Sequence, residues 1–411
     1  MKKITLDHTP RINEIEVPLP SSKSESNRIL IINALAGGQS NLTNLSEARD
    51  TRTMIRLLAS NDEILDVGDA GTTMRFLTAY TAIQGKPRIL TGTPRMQERP
   101  IKLLVDALRT LGASIDYKKN EGYPPIEIKG FTEQKTNKLS IRGDISSQYI
   151  SALLMIAPAL PQGLELELTG TINSRPYIDM TLSLLKVFGI ASISQGNTIS
   201  IAHQPYTPAT YMVESDWSGA SYWYSIVALA EKAKIKLLGL KRGSLQGDSA
   251  IVDIMAQLGV KTTYEEDGIV LEKSEHKNNL TIDFSKCPDL AQTIAVICAA
   301  KGVTCGMTGL QTLRIKETDR IAALQNELAK IGATLEEKVY DKEWFLSPST
   351  DTSWKDKNVS FHTYEDHRMA MAFAPLATLA KIIIEDPNVV EKSYPTYWRD
   401  LADAGFNVSE Q

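Results

Sequence analysis

The sequence predicts an α/β protein of two domains, built from six units of strand, helix, strand, helix, strand, strand, three in each half. Three observations predict it. The first is a recurring amphipathic helical stretch, a glycine and a short β-branched run, in LVDALRTLGASIDY, LSLLKVFGIASIS, VDIMAQLGVKTTY, LQNELAKIGATLEE and WRDLADAGFNVSE. Its glycines, Gly112, Gly189, Gly259, Gly332 and Gly405, are spaced 77, 70, 73 and 73 residues apart, and such a period marks a repeated supersecondary unit. The second is a helix of another type, apolar on most faces, that alternates with the first. The third is length: 411 residues, 42% hydrophobic and 23% charged, exceed what one small core organises.

Each repeat glycine suits a left-handed helix C-cap before a strand. The amphipathic helices should coat a surface. The apolar helices should be buried, and their six copies begin SKSESNRILIINALAGG, DAGTTMRFLTAYTAIQGK, SSQYISALLMIAPALPQG, SDWSGASYWYSIVALAEK, PDLAQTIAVICAAKG and EDHRMAMAFAPLATLAK. Short strands such as PRILTG, LELELTG, KIKLLGL and KIIIED follow them. The first unit reads as abbreviated, because Ser24 to Ala70 is shorter than the later intervals. The buried helices start at Ser24, Gly71, Ser147, Ser218, Asp289 and Asp366; if the repeat aims those N-termini at one place, their free N–H groups and dipole ends form an anion site.

A net charge of −4 and a pI near 5.9 give no whole-molecule field for nucleic acid or an acidic membrane, so an anionic ligand needs a local cationic site. MKKITLDHTP has no apolar run after its lysines, so neither a signal nor a transit peptide is expected, and nothing is expected to span a membrane. Cys287, Cys298 and Cys305 lack metal-type spacing; buried thiols in a reducing cytoplasm are expected.

The chemistry-bearing residues sit at the helix starts. In LPSSKSESNR, Lys23 and Arg28 flank hydroxyls that either cap a helix beside solvated cations or cradle a phosphate or carboxylate. In DAGTTMR, Gly71 either makes a turn or lets backbone approach a ligand. TGTPRMQERP puts Arg95 and Arg99 on one short loop, as surface residues or as a bidentate anion site. Ser146, Ser147 and Gln148 in GDISSQYI, and Ser174, Arg175 and Tyr177 in SRPYID, offer polar donors for phosphate or sugar-like hydroxyls. Asp289 after Pro288 is a helix cap or a functional acid. LRIKETDR packs Lys316, Glu317, Asp319 and Arg320 against a core boundary, and EDHRMAM places Asp366, His367 and Arg368 at the last buried helix, with Lys392 further on. His367 has no partner at metal-ligand spacing, and nucleotide-loop and serine-hydrolase motifs are lacking.

SKSESNR, DAGTTMR, PRMQERP, SSQ, SRPYID, QGD, PD, KETDR and DHRMAM, in this order and spacing, resemble the 5-enolpyruvylshikimate-3-phosphate synthase family over essentially the whole chain. That resemblance implies the enolpyruvyl transferase-like fold, two domains each of three βαβαββ units with buried parallel helices. The domains would be 21–213 and, discontinuously, 1–20 with 214–411, the chain crossing near Leu19 to Ser22 and Val213 to Asp216.

The resemblance further implies that Lys23, Gly71, Arg99, Gln148, Arg320, Arg368 and Lys392 bind phosphoenolpyruvate. Ser24, Arg28, Ser146, Ser147, Ser174, Tyr177, Asp289, Thr312 and Lys316, with Lys23, would bind shikimate 3-phosphate. Asp289 and Glu317 match the family's acid/base pair, with Lys23 as a third catalytic group. The implied reaction is addition followed by elimination through a tetrahedral adduct, with no metal or organic cofactor, in a cytoplasmic monomer of the shikimate pathway whose two domains close on ligand. Asp69 and Phe76 depart from residues frequent in the family, which bears on binding of the inhibitor glyphosate, and Thr312 stands where some members have an Asn that touches shikimate 3-phosphate. The rival family, UDP-N-acetylglucosamine enolpyruvyl transferase, has a different lysine motif and a cysteine on an N-terminal-domain loop, whereas here no cysteine precedes Cys287. RNA 3'-phosphate cyclase is a more distant alternative. A binding protein without turnover would be expected to lack one of the acid/base pair.

Overall fold

The computed structural model describes residues 2–410. The chain forms two compact units: Ser21–Val213, and the residues up to Pro20 joined with those from Glu214 onward.

Six helices build the Ser21–Val213 unit: α1 (Lys23–Leu35), α2 (Arg49–Leu58), α3 (Gly71–Ala82), α4 (Lys102–Leu111), α5 (Ser147–Ile156) and α6 (Arg175–Val187). Helices α1, α3 and α5 are the apolar type; α5 is buried at every residue from Tyr149 to Ile156. Helix α4 instead buries one stripe, Leu104, Val105, Leu108 and Leu111, the spacing of a face laid on a core. One sheet runs in spatial order Ile64–Asp66, Arg88–Thr91, Ile126–Phe131, Ala113–Tyr117, and a second Lys138–Arg142, Leu164–Thr169, Thr198–Ile201, Ile193–Gln195. In each, the first pair is parallel and the rest antiparallel. A parallel pair needs a crossover, and α3 and α5 supply it.

The other unit repeats this plan with α7 (Trp217–Leu229), α8 (Ile251–Leu258), α9 (Ala291–Lys301), α10 (Arg320–Ala329), α11 (His367–Phe373) and α12 (Tyr397–Asp403). Its three sheets have the same order and the same one-parallel, two-antiparallel pattern. Lys3–Leu6 takes the third place in the last of them, between Ile382–Glu385 and Val408–Glu410. The start of the chain thus completes a sheet otherwise made from its end.

At the two crossings, strands are exchanged. Ile15–Pro18 precedes α1 but pairs with Lys234–Leu238, the strand after α7; Thr210–Met212 precedes α7 but pairs with Asn41–Thr43, the strand after α1.

The five repeat glycines all adopt positive φ, from 76° to 121°, as a left-handed helix end requires. The first unit is short for a different reason from a missing helix. It holds α2, which ends at Ala59 with φ −85° and no glycine, and what it lacks is the closing antiparallel pair. Proline shortens two buried helices: after α5 and α11 the chain tightens into 3-10 turns at Ala157–Ala159 and Ala374–Thr378, where Pro158 and Pro375 have no N–H for the α ladder.

Candidate active site

In the Ser21–Val213 unit, the starts of the buried helices are laced together. Ser22 Oγ caps α1 by accepting from Glu25 N at 3.4 Å. Lys23 Nζ lies 3.1 Å from Asp50 Oδ2 in the first turn of α2, and the Thr73 hydroxyl of α3 donates to the Asp50 carbonyl at 3.2 Å. Gln148 Nε2, on α5, donates to Thr72 Oγ1 at 3.1 Å. The N-terminal turns of α1, α2, α3 and α5 therefore lie in one neighbourhood.

Arg28 is buried among these helices. It donates to the Ser24 carbonyl at 2.9 Å, Ser151 Oγ at 3.1 Å and Thr181 Oγ1 at 2.9 Å, and its guanidinium lies 5.6 Å from the Tyr177 ring centroid. Burial lowers its pKa to about 10, with Tyr177 and Glu25 opposing, so it keeps its charge at neutral pH. Gly71 leaves room for the Arg99 guanidinium: a Cβ there would lie 2.6 Å from Arg99 Nη1 and 2.9 Å from Nη2, so a side chain would displace that head group. Arg75 clamps the same loop, donating to the carbonyls of Gly71 at 3.2 Å and Pro100 at 3.0 Å. The two arginines of that loop part company. Arg99 is buried against Gly71, whereas Arg95 pairs with Glu98 at 3.2 Å on the solvated side. Ser174 sits before α6 in the left-handed region, φ 55°, and Ser146 is extended before α5.

In the second unit, charges converge on Arg320, which is 1% exposed. Its Nε donates to Asp366 Oδ2 at 2.7 Å, Nη1 to Asp289 Oδ1 at 3.0 Å and Nη2 to Glu317 Oε2 at 2.8 Å. Arg368 Nη2 donates to Asp289 Oδ2 at 3.0 Å. Lys316 Nζ stands 3.9 Å from Asp289 Oδ1, and Lys392 Nζ 3.7 Å from Glu317 Oε1. Asp366 also caps α11 through Arg368 N, and Asp319 caps α10 through Ile321 N and Ala322 N. Asp289 caps nothing: Pro288–Leu290 is a 3-10 turn and α9 begins after it without a side-chain cap. Its carboxylate is instead committed to cations.

Burial alone would raise the Asp289 carboxyl, but Arg368, then Lys316 and Arg320, outweigh it and hold the group far below the usual carboxylate range, with Glu317 opposing. Burial lowers the Lys316 pKa, with Asp289 acting against the shift. The Arg320 guanidinium is held charged against its burial by Asp366, Glu317 and Asp289.

The predicted residues thus fall into two groups, one per unit: Lys23, Ser24, Arg28, Gly71, Arg99, Ser146, Ser147, Gln148, Ser174 and Tyr177 around the starts of α1, α3, α5 and α6, and Asp289, Lys316, Glu317, Arg320, Arg368 and Lys392 around the starts of α9, α10 and α11. Thr312 lies in the 3-10 turn Gln311–Ile315, its buried hydroxyl without a hydrogen-bond partner among the described residues. Sequence reasoning assigned no role to Asp50, the partner of Lys23, or to Asp248, the partner of Ser218. Single acids without a motif carry no signal for a partner that only packing supplies; the QGD run was the one hint for Asp248. Among the described residues there is no cluster of three His, Cys, Asp or Glu side chains that could hold a metal, and no helix is long and apolar enough to cross a membrane. Cys287, Cys298 and Cys305 are free and buried.

The sequence profile described as EPSP synthase (3-phosphoshikimate 1-carboxyvinyltransferase) matches residues 10–60 and 55–401. A 3-phosphoshikimate 1-carboxyvinyltransferase of Bacteroides fragilis is 51% identical over 395 residues, 95% of each chain. One from Histophilus somni is 40% identical over 436 aligned positions, 98% of each. The solved EPSP synthase of Acinetobacter baumannii, 20% identical, superposes over 100% of both chains with a TM-score of 0.80, a likeness of fold. With the motifs, the repeated βαβαββ plan and these full-length relatives in agreement, the chain belongs to the EPSP synthase (3-phosphoshikimate 1-carboxyvinyltransferase) family.

Proposed function

We propose that this chain catalyses the reaction for which its family is named: transfer of the 1-carboxyvinyl group of phosphoenolpyruvate to the 5-hydroxyl of shikimate 3-phosphate, with release of phosphate. The reaction belongs to the shikimate pathway of aromatic amino-acid biosynthesis. The observation that carries the reading is the cluster in which two carboxylates, Asp289 and Glu317, share Arg320 while Arg368, Lys316 and Lys392 lie against them. It supplies an acid/base pair inside a field suited to two anions.

We take the two units, 21–213 and 1–20 with 214–411, as the two catalytic domains. Lys23, Gly71, Arg99 and Gln148 from one, and Arg320, Arg368 and Lys392 from the other, would hold phosphoenolpyruvate. Ser24, Arg28, Ser146, Ser147, Ser174 and Tyr177, with Lys23, Asp289, Thr312 and Lys316, would hold shikimate 3-phosphate. Arg28 keeps its charge in this reading but has three protein partners already, so it acts chiefly by setting the positions of Ser24 and Tyr177. The unpartnered Thr312 hydroxyl supports its place in the list.

In the addition step the 5-oxygen attacks C2 of phosphoenolpyruvate as Asp289 takes the hydroxyl proton, and Glu317, which enters the step carrying a proton taken from solvent, delivers it to the C3 methylene. Arriving anions compete for Arg368, Lys316 and Arg320. Their hold on Asp289 then relaxes, and a carboxylate that is a weak base in the free protein becomes a stronger one when the hydroxyl is in place. In the elimination step Glu317 removes a proton from the new methyl group, the C2–O bond to phosphate breaks, and the proton on Asp289 leaves with phosphate. The cations offset the charge of two crowded anions throughout. In this reading the protein works in the cytoplasm as a monomer, and three free, buried thiols support the compartment.

A phosphate-release assay with each substrate omitted in turn tests this. Phosphate should be released only when shikimate 3-phosphate and phosphoenolpyruvate are both present, and turnover with UDP-N-acetylglucosamine in place of the former would refute it.

A further inference from the structure

One buried acid takes no part in the reaction as assigned. Asp248 lies in the 3-10 turn Gly247–Ala250 before α8 and is 3% exposed. Gln246 locks this turn to the start of α7: its Oε1 accepts from Trp217 N at 3.0 Å and its Nε2 donates to the Ser215 carbonyl at 2.8 Å. Asp248 Oδ2 accepts from the Ser218 hydroxyl. Ser218 is the second residue of α7, and its oxygen accepts from Arg368 Nη2 at 3.3 Å, the atom that also donates to Asp289 Oδ2.

A hydroxyl has one proton and two lone pairs. Giving that proton to Asp248 turns the lone pairs of Ser218 toward the guanidinium, so the direction of the whole chain, Arg368 to Ser218 to Asp248, is set at its far end. Asp248 Oδ1 has no hydrogen-bond partner among the described residues. The charged and titratable groups acting on it are Asp289 before α9, Asp216 before α7, Cys287 and Arg368 on α11. Burial, then repulsion by Asp289, pushes the Asp248 carboxyl up to about 7 while Arg368 opposes, so its charge changes within the neutral range.

We infer that Asp248 is a positioning residue for Arg368, fixing the guanidinium through the Ser218 hydroxyl and setting, by its own charge, how much of the Arg368 field reaches an anionic substrate. The inference rests on the reading that Arg368 holds phosphoenolpyruvate.

Asp248→Asn keeps an acceptor for Ser218 and removes the charge; Asp248→Ala removes both. Both substrates' KM values and kcat should be measured at pH 6, 7 and 8 for wild type and variants. Below pH 7 wild-type Asp248 is protonated and resembles asparagine, so Asp248→Asn should match wild type in KM for phosphoenolpyruvate at pH 6. At pH 8 its KM should be lower by roughly 3-fold, the effect of removing one screened charge from the neighbourhood of the cation. Titration of the substrate cancels in the ratio. Asp248→Ala loses the same charge and the acceptor as well, so its KM for phosphoenolpyruvate should lie about 5-fold above that of Asp248→Asn at every pH, a fraction of a charged hydrogen bond, with KM for shikimate 3-phosphate nearly unchanged. A pH-independent ratio for Asp248→Asn overturns the proposal, as does an alanine variant that raises both KM values equally. If the alanine variant does not fold, the asparagine ratio decides alone. A wild-type protein that fails to turn over the substrate pair would overturn the functional reading and this proposal together, and is told apart because the failure is then in the wild type.

Discussion

Asp289→Asn separates the acid/base role of this carboxylate from its structural one. Asparagine keeps the volume and one acceptor but removes the charge shared by Arg320 Nη1 and Arg368 Nη2, each at 3.0 Å, and faced by Lys316 at 3.9 Å. Arg320 keeps Asp366 at 2.7 Å and Glu317 at 2.8 Å, and Arg368 keeps its hydrogen bonds to Tyr222 Oη at 3.4 Å and Ser218 Oγ at 3.3 Å, so neither buried guanidinium is left alone and the fold should survive. Loss of a positioned base typically costs about 100-fold or more in rate, about 2.7 kcal/mol of transition-state stabilisation. Binding should move the other way: three cations no longer divided between Asp289 and substrate should hold phosphoenolpyruvate at least as well, so KM should stay level or fall. Initial phosphate-release rates against both substrates, with a thermal melt alongside, give the answer. A kcat within about 3-fold of wild type, or an intact kcat with a raised KM, would refute the assignment.

Glu317→Gln should likewise lower kcat by roughly 100-fold with a smaller effect on KM; near wild-type kcat would remove Glu317 from the chemistry. Asp366 is a structural partner of Arg320 and is 0% exposed, so Asp366→Asn should destabilise by about 3 kcal/mol or more, a fall of roughly 6–12 °C in Tm for a unit of this size. Asp366→Ala, which also loses the cap of α11, should cost about 1 kcal/mol more; a melt unchanged in both would show that Arg320 does not depend on it. Lys3, then Ser360 and His362, hold the Glu385 carboxyl down at about 2 against an ordinary 4.5. A depressed folded-state pKa stabilises above the unfolded value and is lost as pH falls through the folded one. The Tm advantage of wild type over Glu385→Gln should therefore be full at pH 6 and vanish as pH falls from about 4.5 to 2; an advantage that persists at pH 2 would contradict the pairing that ties Lys3 to the last sheet.

What was legible in the sequence follows from which features are local. A glycine at positive φ ending an amphipathic helix is a local signature, so five helix ends could be read directly. Helix α2 ends on Ala59 without one, and it escaped the pattern. Buried helices are visible as unbroken apolar runs, whereas the 3-10 turns that end two of them are signalled only by Pro158 and Pro375 inside those runs. Asp289 could be read as a cap or as an acid, since both suit an aspartate after a proline; only the convergence of Arg320 and Arg368 from distant segments decides it. Arg95 and Arg99 look alike on one loop, and only the missing Cβ of Gly71 tells which is drawn inward. Asp50 and Asp248 owe their places wholly to packing between elements.

The most direct test is proton NMR of the complete reaction in D2O, with phosphoenolpyruvate and shikimate 3-phosphate followed together. Addition followed by elimination makes C3 of phosphoenolpyruvate a transient methyl group bearing one proton from Glu317, which exchanges with solvent. Both substrates should be consumed one for one, and a vinyl ether at the 5-oxygen should form with deuterium in its methylene group. Phosphate release without a vinyl ether, or a product whose methylene carries no deuterium, would contradict the account.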